Sequence, residues 1–540
     1  MGGVTLPDAK PDRQTLGRRT EAAKRAVGGL AIRLREWFRR GGSAAVLAAL
    51  ALSLASAAGA GWTSVHIFER LPHLEDEFAY LWQGEIMAEG KAWLPSPPEP
   101  RSFLVPFVVD HEGRRFAKYT PGWPAAIALA IEAGDEWLLN PLLAGISIWL
   151  LFRLGTKVAG PGIGVLAAAL AASSPLLYVL AGTLMPHVFS LFLTLAIALA
   201  WLDLFPGASR SEAPLPPAML VAVAGLSLGL LALTRPLTAV GVAVPFAIHG
   251  GFVLVRGGRP ARLRLIAVAL LALGVTVLLP LWNEAVAGDP WLNSYTLWWP
   301  YDRIGFGPGF GRTTTGHSLA LARLNLRVSL RVGQHDVFGW PFLSWIFLPF
   351  GAVALRRARD AWLIAGLIPG LIVAYGFYWI GTWLFGPRYY FEALPAAAIL
   401  TAAGIAWLGG WGDARPGRWK RLRSSGTAAA VLVLVTLNGA FYLPMRLGSL
   451  RGLYGVSGAK RDAFASAVPA NAFVIVHPVE SWTDYGTLLT LEPPFCECDR
   501  MLAYSRGPRV DARAAAVYPD MDVYHYYPDE PGVFRVEARR

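Results

Sequence analysis

Along most of the chain, apolar residues come in runs long enough to cross the hydrocarbon core of a bilayer, which takes about 20 residues. The breaks between runs are Arg clusters or Pro and Gly. About eleven such runs can be drawn, at residues 43–61, 136–152, 158–178, 184–204, 217–234, 237–255, 264–282, 340–355, 361–381, 389–410 and 426–444. Two longer stretches between them, roughly 62–135 and 283–339, lack such a run, and so does 445–540. The pattern predicts a mainly α, polytopic membrane protein with about eleven transmembrane helices over 43–444, preceded by a leader at 1–42.

Composition agrees, because 54% hydrophobic and 16% charged residues are too apolar a mixture for ordinary soluble domains. Charge then orients the chain, since short loops rich in Lys and Arg stay in the cytoplasm. The first 40 residues carry ten Lys or Arg against four acids. Further clusters at Arg153/Lys157, Arg256/Arg259/Arg262/Arg264, Arg356/Arg357/Arg359 and Arg415/Arg418/Lys420/Arg421/Arg423 all fall on the same side of an eleven-span count. The expectation is a multi-pass protein of the cell (inner) membrane, amino terminus cytoplasmic and carboxyl terminus extracytoplasmic. This asymmetry explains the net charge of +12, which is therefore not read as a nucleic-acid footprint. The leader is too long for the positive region of a signal peptide, so the first run is expected to be an uncleaved anchor with membrane lipids around its basic flank. Cys496 and Cys498, in FCECD, are too few for a disulfide framework or a Cys-only zinc site and are expected to be inert.

The non-spanning stretches are the places to look for chemistry. The first opens with LEDEFAYLWQGEIM, in which Phe78, Leu81, Trp82 and Ile86 recur at helical spacing and predict an amphipathic helix along the membrane surface. FLVPFVVDHEGRRFAKY follows, whose HEG turn predicts a hairpin, and KYTPGWP closes the loop with prolines and a glycine that forbid a continuous helix. In the second, Arg323, Arg327 and Arg331 recur every four residues as on a helix, while Leu324, Leu326, Val328, Leu330 and Val332 alternate as on a strand. An interfacial helix is the favoured reading. In the tail, NAFVIVHP and DVYHYYP read as short strands of a small α/β extracytoplasmic domain.

Glu75, Asp76 and Glu77 form a run of three acids beside an apolar stretch. Acids at a helix start are favoured by its free N–H groups and positive dipole end, which accounts for one of them more easily than for three, and Glu75 is expected to be only such a helix-start charge. A carboxylate held at the membrane surface can serve as base for a hydroxyl acceptor. Cations lie on the same predicted face: Lys118 in KYTPGWP, Arg235 in LTRPLTAVG and Arg388 in FGPRYYFEALP. Charges at span ends often only snorkel to the interface, but three beside a set of acids suit an anionic phosphate. His187, His317 and Arg312 are weaker candidates for substrate contact, as are Tyr119 and Tyr389 within the two motifs. The glycine-rich GFGPGFGR lacks the Lys-Ser/Thr ending of a phosphate loop. No cluster has metal spacing, although Asp76 with Glu77 could hold a divalent cation together with phosphate.

The acidic pair Asp76-Glu77 in the first external loop, the helix after it, KYTPGWP, TRPLTA and GPRYYFEALP resemble the integral membrane glycosyltransferases of the C-type (GT-C) fold. The chain is similar to the protein mannosyltransferases and to the aminoarabinose transferases that modify lipid A. The resemblance implies transfer of a hexosyl or pentosyl group from a polyprenyl-phosphate sugar donor to a lipid, glycan or protein hydroxyl outside the membrane. On that reading Asp76 is the general base, Glu77 assists, and Lys118, Arg235 and Arg388 neutralise the leaving phosphate. A multi-pass transporter or lipid flippase is the rival, but no repeat relates the two halves of the chain.

Overall fold

The computed structural model describes residues 42–206, 215–411, 418–479, 481–495, 500–529 and 534–536. The basic leader and both cysteines lie outside the described residues. Among these residues eight helices are long and apolar enough to cross a membrane: Ser43–His66, Glu136–Ala159, His187–Leu204, Pro217–Thr234, Pro236–Arg256, Arg259–Ala287, Arg388–Gly409 and Leu422–Gly448. A ninth span is formed if Pro161–Ala172 and Pro175–Ala181, bent by 61°, are taken together.

These nine coincide with nine of the eleven apolar runs. The other two, 340–355 and 361–381, fold as shorter helices, Leu348–Ala354, Arg359–Ala365 and Leu367–Gly376. Pro349 and Pro369 lie in the first turns of two of them, where a missing N–H costs least and a new helix can begin but an old one cannot continue. The short helices are packed into the bundle nonetheless. A side chain at Gly351 would collide with the carbonyl of Leu400, and one at Gly404 with that of Phe347, so Leu348–Ala354 lies backbone to backbone against Leu394–Gly409.

The bend between Pro161–Ala172 and Pro175–Ala181 frees backbone carbonyls in the interior. One of them, on Ser173, accepts a hydrogen bond of 2.6 Å from Asn438 Nδ2. Asn438 is buried and opens the π-helical turn Asn438–Tyr442, the irregular point of the last span.

Helix α1 (Ser43–His66) is followed by Glu69 and Arg70 at φ 52° and 53°, two non-glycine residues in the left-handed region. This costs on the order of 1 kcal/mol for each, and the turn is held on several sides. Arg70 N–H donates to the Ser64 carbonyl at 2.9 Å, Arg70 pairs with Asp135 at 2.9 Å, and Glu69 Oε2 accepts from Gly458 N–H at 2.5 Å. The turn aims the chain into helix α2 (Glu75–Ala88).

Phe78, Trp82 and Ile86 of α2 are buried as expected, but so are Glu77, Ala79, Tyr80, Gln83 and Gly84. The helix is therefore enclosed by protein on most sides and not only along its apolar stripe. Helix Gly122–Glu132, the first-loop hairpin and the tail cover it. That hairpin, β2 (Val108–His111) with β3 (Arg114–Ala117), turns at Glu112 and Gly113, both at positive φ, as a tight hairpin turn requires; β1 (Leu94–Pro95) completes the sheet in the order β1-β3-β2. KYTPGWP is not one continuous helix, as expected, but a helix begins inside it: Lys118 to Pro121 is non-helical, and Pro121 and Pro124 start helix Gly122–Glu132, at positions where proline is tolerated. In the second loop the ambiguous run folds as helix Leu319–Asp336, started by Ser318 Oγ accepting from Leu321 N–H at 3.3 Å.

The tail forms a sheet of order β5-β4-β6-β7, with β4 (Ala472–Val476), β5 (Arg500–Tyr504) and β6 (Asp522–Tyr526) parallel and β7 (Phe534–Val536) antiparallel. All five residues of β4 are buried, as a central strand covered on both faces demands. Phe103 of the first loop packs into one of those faces against Phe473, with centroids 6.3 Å apart. The tail is thereby seated on the first loop, and Arg513 to Glu99 at 2.5 Å closes the rim.

Helix Gly122–Glu132 lies so close to the end of Pro217–Thr234 that a Cβ on Gly122 would stand 2.6 Å from Thr234 Oγ1 and 2.7 Å from the Leu233 carbonyl carbon. Gly122→Ala is expected to lower stability by about 1–3 kcal/mol, read as a fall in Tm of the detergent-solubilised protein. An unchanged Tm would show that the two segments can separate freely.

Candidate active site

The start of α2 places Asp76 at the centre of the polar cluster. Tyr119 donates its hydroxyl to Asp76 Oδ1 at 2.5 Å, and Arg388 Nη2 stands 3.7 Å from Asp76 Oδ2. The Asp76 side chain keeps 20% of its surface exposed and that of Arg388 17%, so this pair remains reachable by a ligand. Nη1 of Arg388 is buried without a hydrogen-bond partner among the described residues. Two donors of a guanidinium fork are thus imperfectly used, the state in which a phosphate oxygen gains most.

Glu77 goes elsewhere. Neighbouring residues on a helix point about 100° apart, and the Glu77 carboxylate is fully buried, accepting from His73 N–H at 3.3 Å and Leu184 N–H at 3.0 Å. It ties α2 to the segment before helix His187–Leu204. Burial pushes its carboxyl up to about 8 against the pull of those amides. Glu75, expected to be only a helix-start charge, belongs to the cluster. Burial first, then the Asp76 charge, push its carboxyl up to about 7, while Lys118, Arg312 and Arg388 act in the opposite sense.

Lys118 is enclosed, with its ammonium 3.5 Å from the Phe107 ring centroid and 4.5 Å from that of Trp299. Its counter-charge is Asp302 at 3.7 Å, which also accepts from Tyr378 at 2.9 Å and Trp379 Nε1 at 3.0 Å. Burial lowers the Lys118 ammonium to about 8, with Asp302, Asp76 and Glu75 opposing. Arg235, in the short link between two spans, pairs with Glu392 and donates to the Tyr375 hydroxyl at 2.9 Å. Tyr375 in turn stacks on Tyr389 with centroids 4.6 Å apart.

The weaker candidates divide. His187 is buried beside Arg235 and Arg388, and neither ring nitrogen has a hydrogen-bond partner among the described residues. His317 is a strut: its Nε2 lies 3.0 Å from the Gly376 carbonyl and its ring stacks on Phe306. Arg312 is exposed over Trp299 and Trp379, with centroid distances of 5.2 and 5.6 Å. Sequence reasoning did not pick out Asp302, Glu392 or Tyr375. Asp302 stands in the aromatic run LWWPYD and Glu392 within GPRYYFEALP, and an acid in so apolar a context was the available signal. Among the described residues no group of three or more His, Cys, Asp or Glu is arranged to hold a metal ion.

Between the ordinary carboxyl range near 4.5 and about 8, the folded chain keeps the Glu77 proton that an unfolded chain releases. The folded state then binds more protons, so its stability falls as pH rises through that window. Tm measured between about pH 5 and pH 8 is expected to fall, and Glu77→Gln, neutral throughout, to flatten the slope. An equal slope in the variant would show that Glu77 is ionised in the folded protein.

No protein-family model matches the chain, and no curated protein matches it. Solved structures do. ArnT from Cupriavidus metallidurans in the apo state superposes with a TM-score of 0.51 at 14% identity, covering 93% of this chain and 89% of that one. The same protein bound to undecaprenyl phosphate gives a TM-score of 0.52 at 14% identity over 87% and 88% of the two chains. The chain thus has the fold of ArnT, in line with the C-type fold expected from the acidic pair and the motifs around it.

Proposed function

We propose that this protein is a membrane glycosyltransferase that takes a sugar from a polyprenyl-phosphate donor and passes it to a hydroxyl acceptor at the external membrane face. The observation that carries this reading is the juxtaposition of a partly exposed carboxylate, Asp76, with the incompletely paired guanidinium of Arg388. Such a pair can serve both ends of one displacement. ArnT, whose fold the chain shares, has been crystallised with undecaprenyl phosphate, which agrees with an anionic lipid donor.

In the proposed reaction the acceptor oxygen attacks the anomeric carbon from the side opposite the phosphate. Asp76 takes the hydroxyl proton, the bond from carbon to phosphate oxygen breaks, and the electron pair leaves with the polyprenyl phosphate. In-line attack inverts the anomeric configuration. Arg388 receives the growing phosphate charge and so replaces a general acid. Tyr119 holds Oδ1 of Asp76, which leaves Oδ2, 3.7 Å from Arg388, as the oxygen that takes the acceptor proton. Lys118, with its charge shared by Asp302 and two rings, adds positive potential; Arg235, matched by Glu392, positions the Tyr375–Tyr389 stack against which the donor can lie. Glu77 supports α2 from behind.

A second reading rests on Glu75. Its carboxyl, near 7, is matched in pKa to a base working at neutral pH, and it faces the same cations. If Glu75 accepts the proton, turnover rises with pH through about 7 and Glu75→Gln removes that limb.

With a panel of polyprenyl-phosphate sugars and the purified protein, Asp76→Asn is expected to cut turnover by about 10²–10⁴-fold. Arg388→Ala is expected to cut it by about 10²–10³-fold, with insertion and Tm retained. Retained configuration in the product would overturn the single-displacement scheme. Lipid transport that survives Asp76→Asn, without sugar transfer from any donor, would favour a flippase.

A further inference from the structure

Beneath the tail domain lies a cavity of about 240 Å³, outside the Asp76–Arg388 cluster. At about 30 Å³ for each water it has room for on the order of eight, enough for a monosaccharide ring with its hydroxyls. Its walls come from both external parts of the chain: Trp82 of α2, Ser102 and Arg115 of the first loop, and Tyr485, Glu492 and Tyr504 of the tail.

The chemistry of this lining is specific. The Tyr485 hydroxyl and Ser102 Oγ are buried with no hydrogen-bond partner among the described residues, which leaves two polar atoms awaiting one. Arg115 brings no net charge, because Asp110 accepts both Nε and Nη2 at 2.8 Å, and Nη2 also donates to the Pro100 carbonyl at 3.0 Å. Glu492 accepts from Leu502 N–H at 3.3 Å, and burial pushes its carboxyl up to about 8, so it is largely neutral at pH 7 and able to donate. A cavity without net charge, with indole and phenol rings as walls and unsatisfied hydroxyls, disfavours a phosphate and suits a neutral ring that carries many hydroxyls.

The cavity adjoins the reaction centre. Tyr485 lies within electrostatic reach of Glu75, and the ring of Phe78 on α2 packs edge-on against Trp482 at 5.7 Å.

We propose that this cavity binds a neutral sugar residue of the acceptor, gripping it between Trp82 and Tyr504 and hydrogen-bonding it through Tyr485, Ser102 and Glu492. Its assignment to the acceptor rests on the transferase reading; the binding itself does not. The acceptor would then be a glycan or glycolipid, held by one unit while another presents its hydroxyl to Asp76.

The test is saturation-transfer NMR and calorimetry on the full-length wild-type protein with neutral methyl glycosides of glucose, galactose, mannose and arabinose, and disaccharides of them. At least one is expected to bind without any donor present. Tyr485→Phe, which removes only the unpartnered hydroxyl, is expected to weaken it by about three- to tenfold. Leu489→Trp, which fills the cavity, is expected to abolish it, with polyprenyl-phosphate binding and Tm retained. If Leu489→Trp fails to fold, Ser102→Ala takes its place with the smaller expected loss. The proposal is overturned if no glycoside binds, if the variants bind as well as wild type, or if only charged ligands or peptides compete for the site. Sugar binding that follows this pattern in a protein inert toward every donor would sink the transferase reading and leave the sugar pocket standing.

Discussion

The arrangement of the face built by the two long loops and the tail depends on one constraint, that a charge taken out of water must meet its opposite. Lys118 meets Asp302, Arg235 meets Glu392 and Arg388 meets Asp76. Each pair joins segments far apart in the chain, the Arg235–Glu392 pair across 157 residues, so the same contacts that neutralise the site also bring the first loop, the second loop and the late spans together. Removing one partner of a buried pair strands the other at about 3–5 kcal/mol. The pairs are unequally closed. Arg235 and Glu392 are buried in direct contact, whereas Asp76 and Arg388 stand 3.7 Å apart with part of each exposed. Lys118 and Asp302 stand equally far apart but enclosed, so the Asp76–Arg388 pair is the one that a ligand could reach.

The loops and the tail follow from this anchoring. Helix α2 carries Asp76 at its start and Trp82 two turns later, and it is clamped by Glu77 below and by the tail above. A rigid helix is thus shared by the charged cluster and by the cavity under the tail. On the proposed reading, preorganised groups need not be gathered anew at each turnover, and a protein that excludes water around them makes each charge count for more.

Much of this was legible in the sequence. Among the described residues eight of the eleven apolar runs, or nine with the bent pair taken as one, fold as helices long and apolar enough to cross a membrane; the runs holding Pro349 and Pro369 break into short helices, since hydropathy does not register where a helix must restart. Asp76, Lys118, Arg235 and Arg388 stood out because ionisable groups beside apolar runs are costly. Their partners did not, because Asp302 and Glu392 meet them only through tertiary structure. Glu75 and Glu77 exchanged their expected places for a geometric reason: adjacent helical residues diverge, and only folding decides which one faces the opening. Likewise the apolar stripe of α2 was visible, but not that protein, rather than lipid, would cover its other sides.

The bent span and the π-helical turn look like two defects, yet Asn438 joins them through the Ser173 carbonyl. In hydrocarbon an unanswered carbonyl is too expensive to keep, so the kink is tolerable only while that amide is there to answer it. The two positions therefore form one heritable unit. A lineage that straightened the bend would release Asn438 to drift, and one that lost Asn438 first would be under selection to straighten the bend.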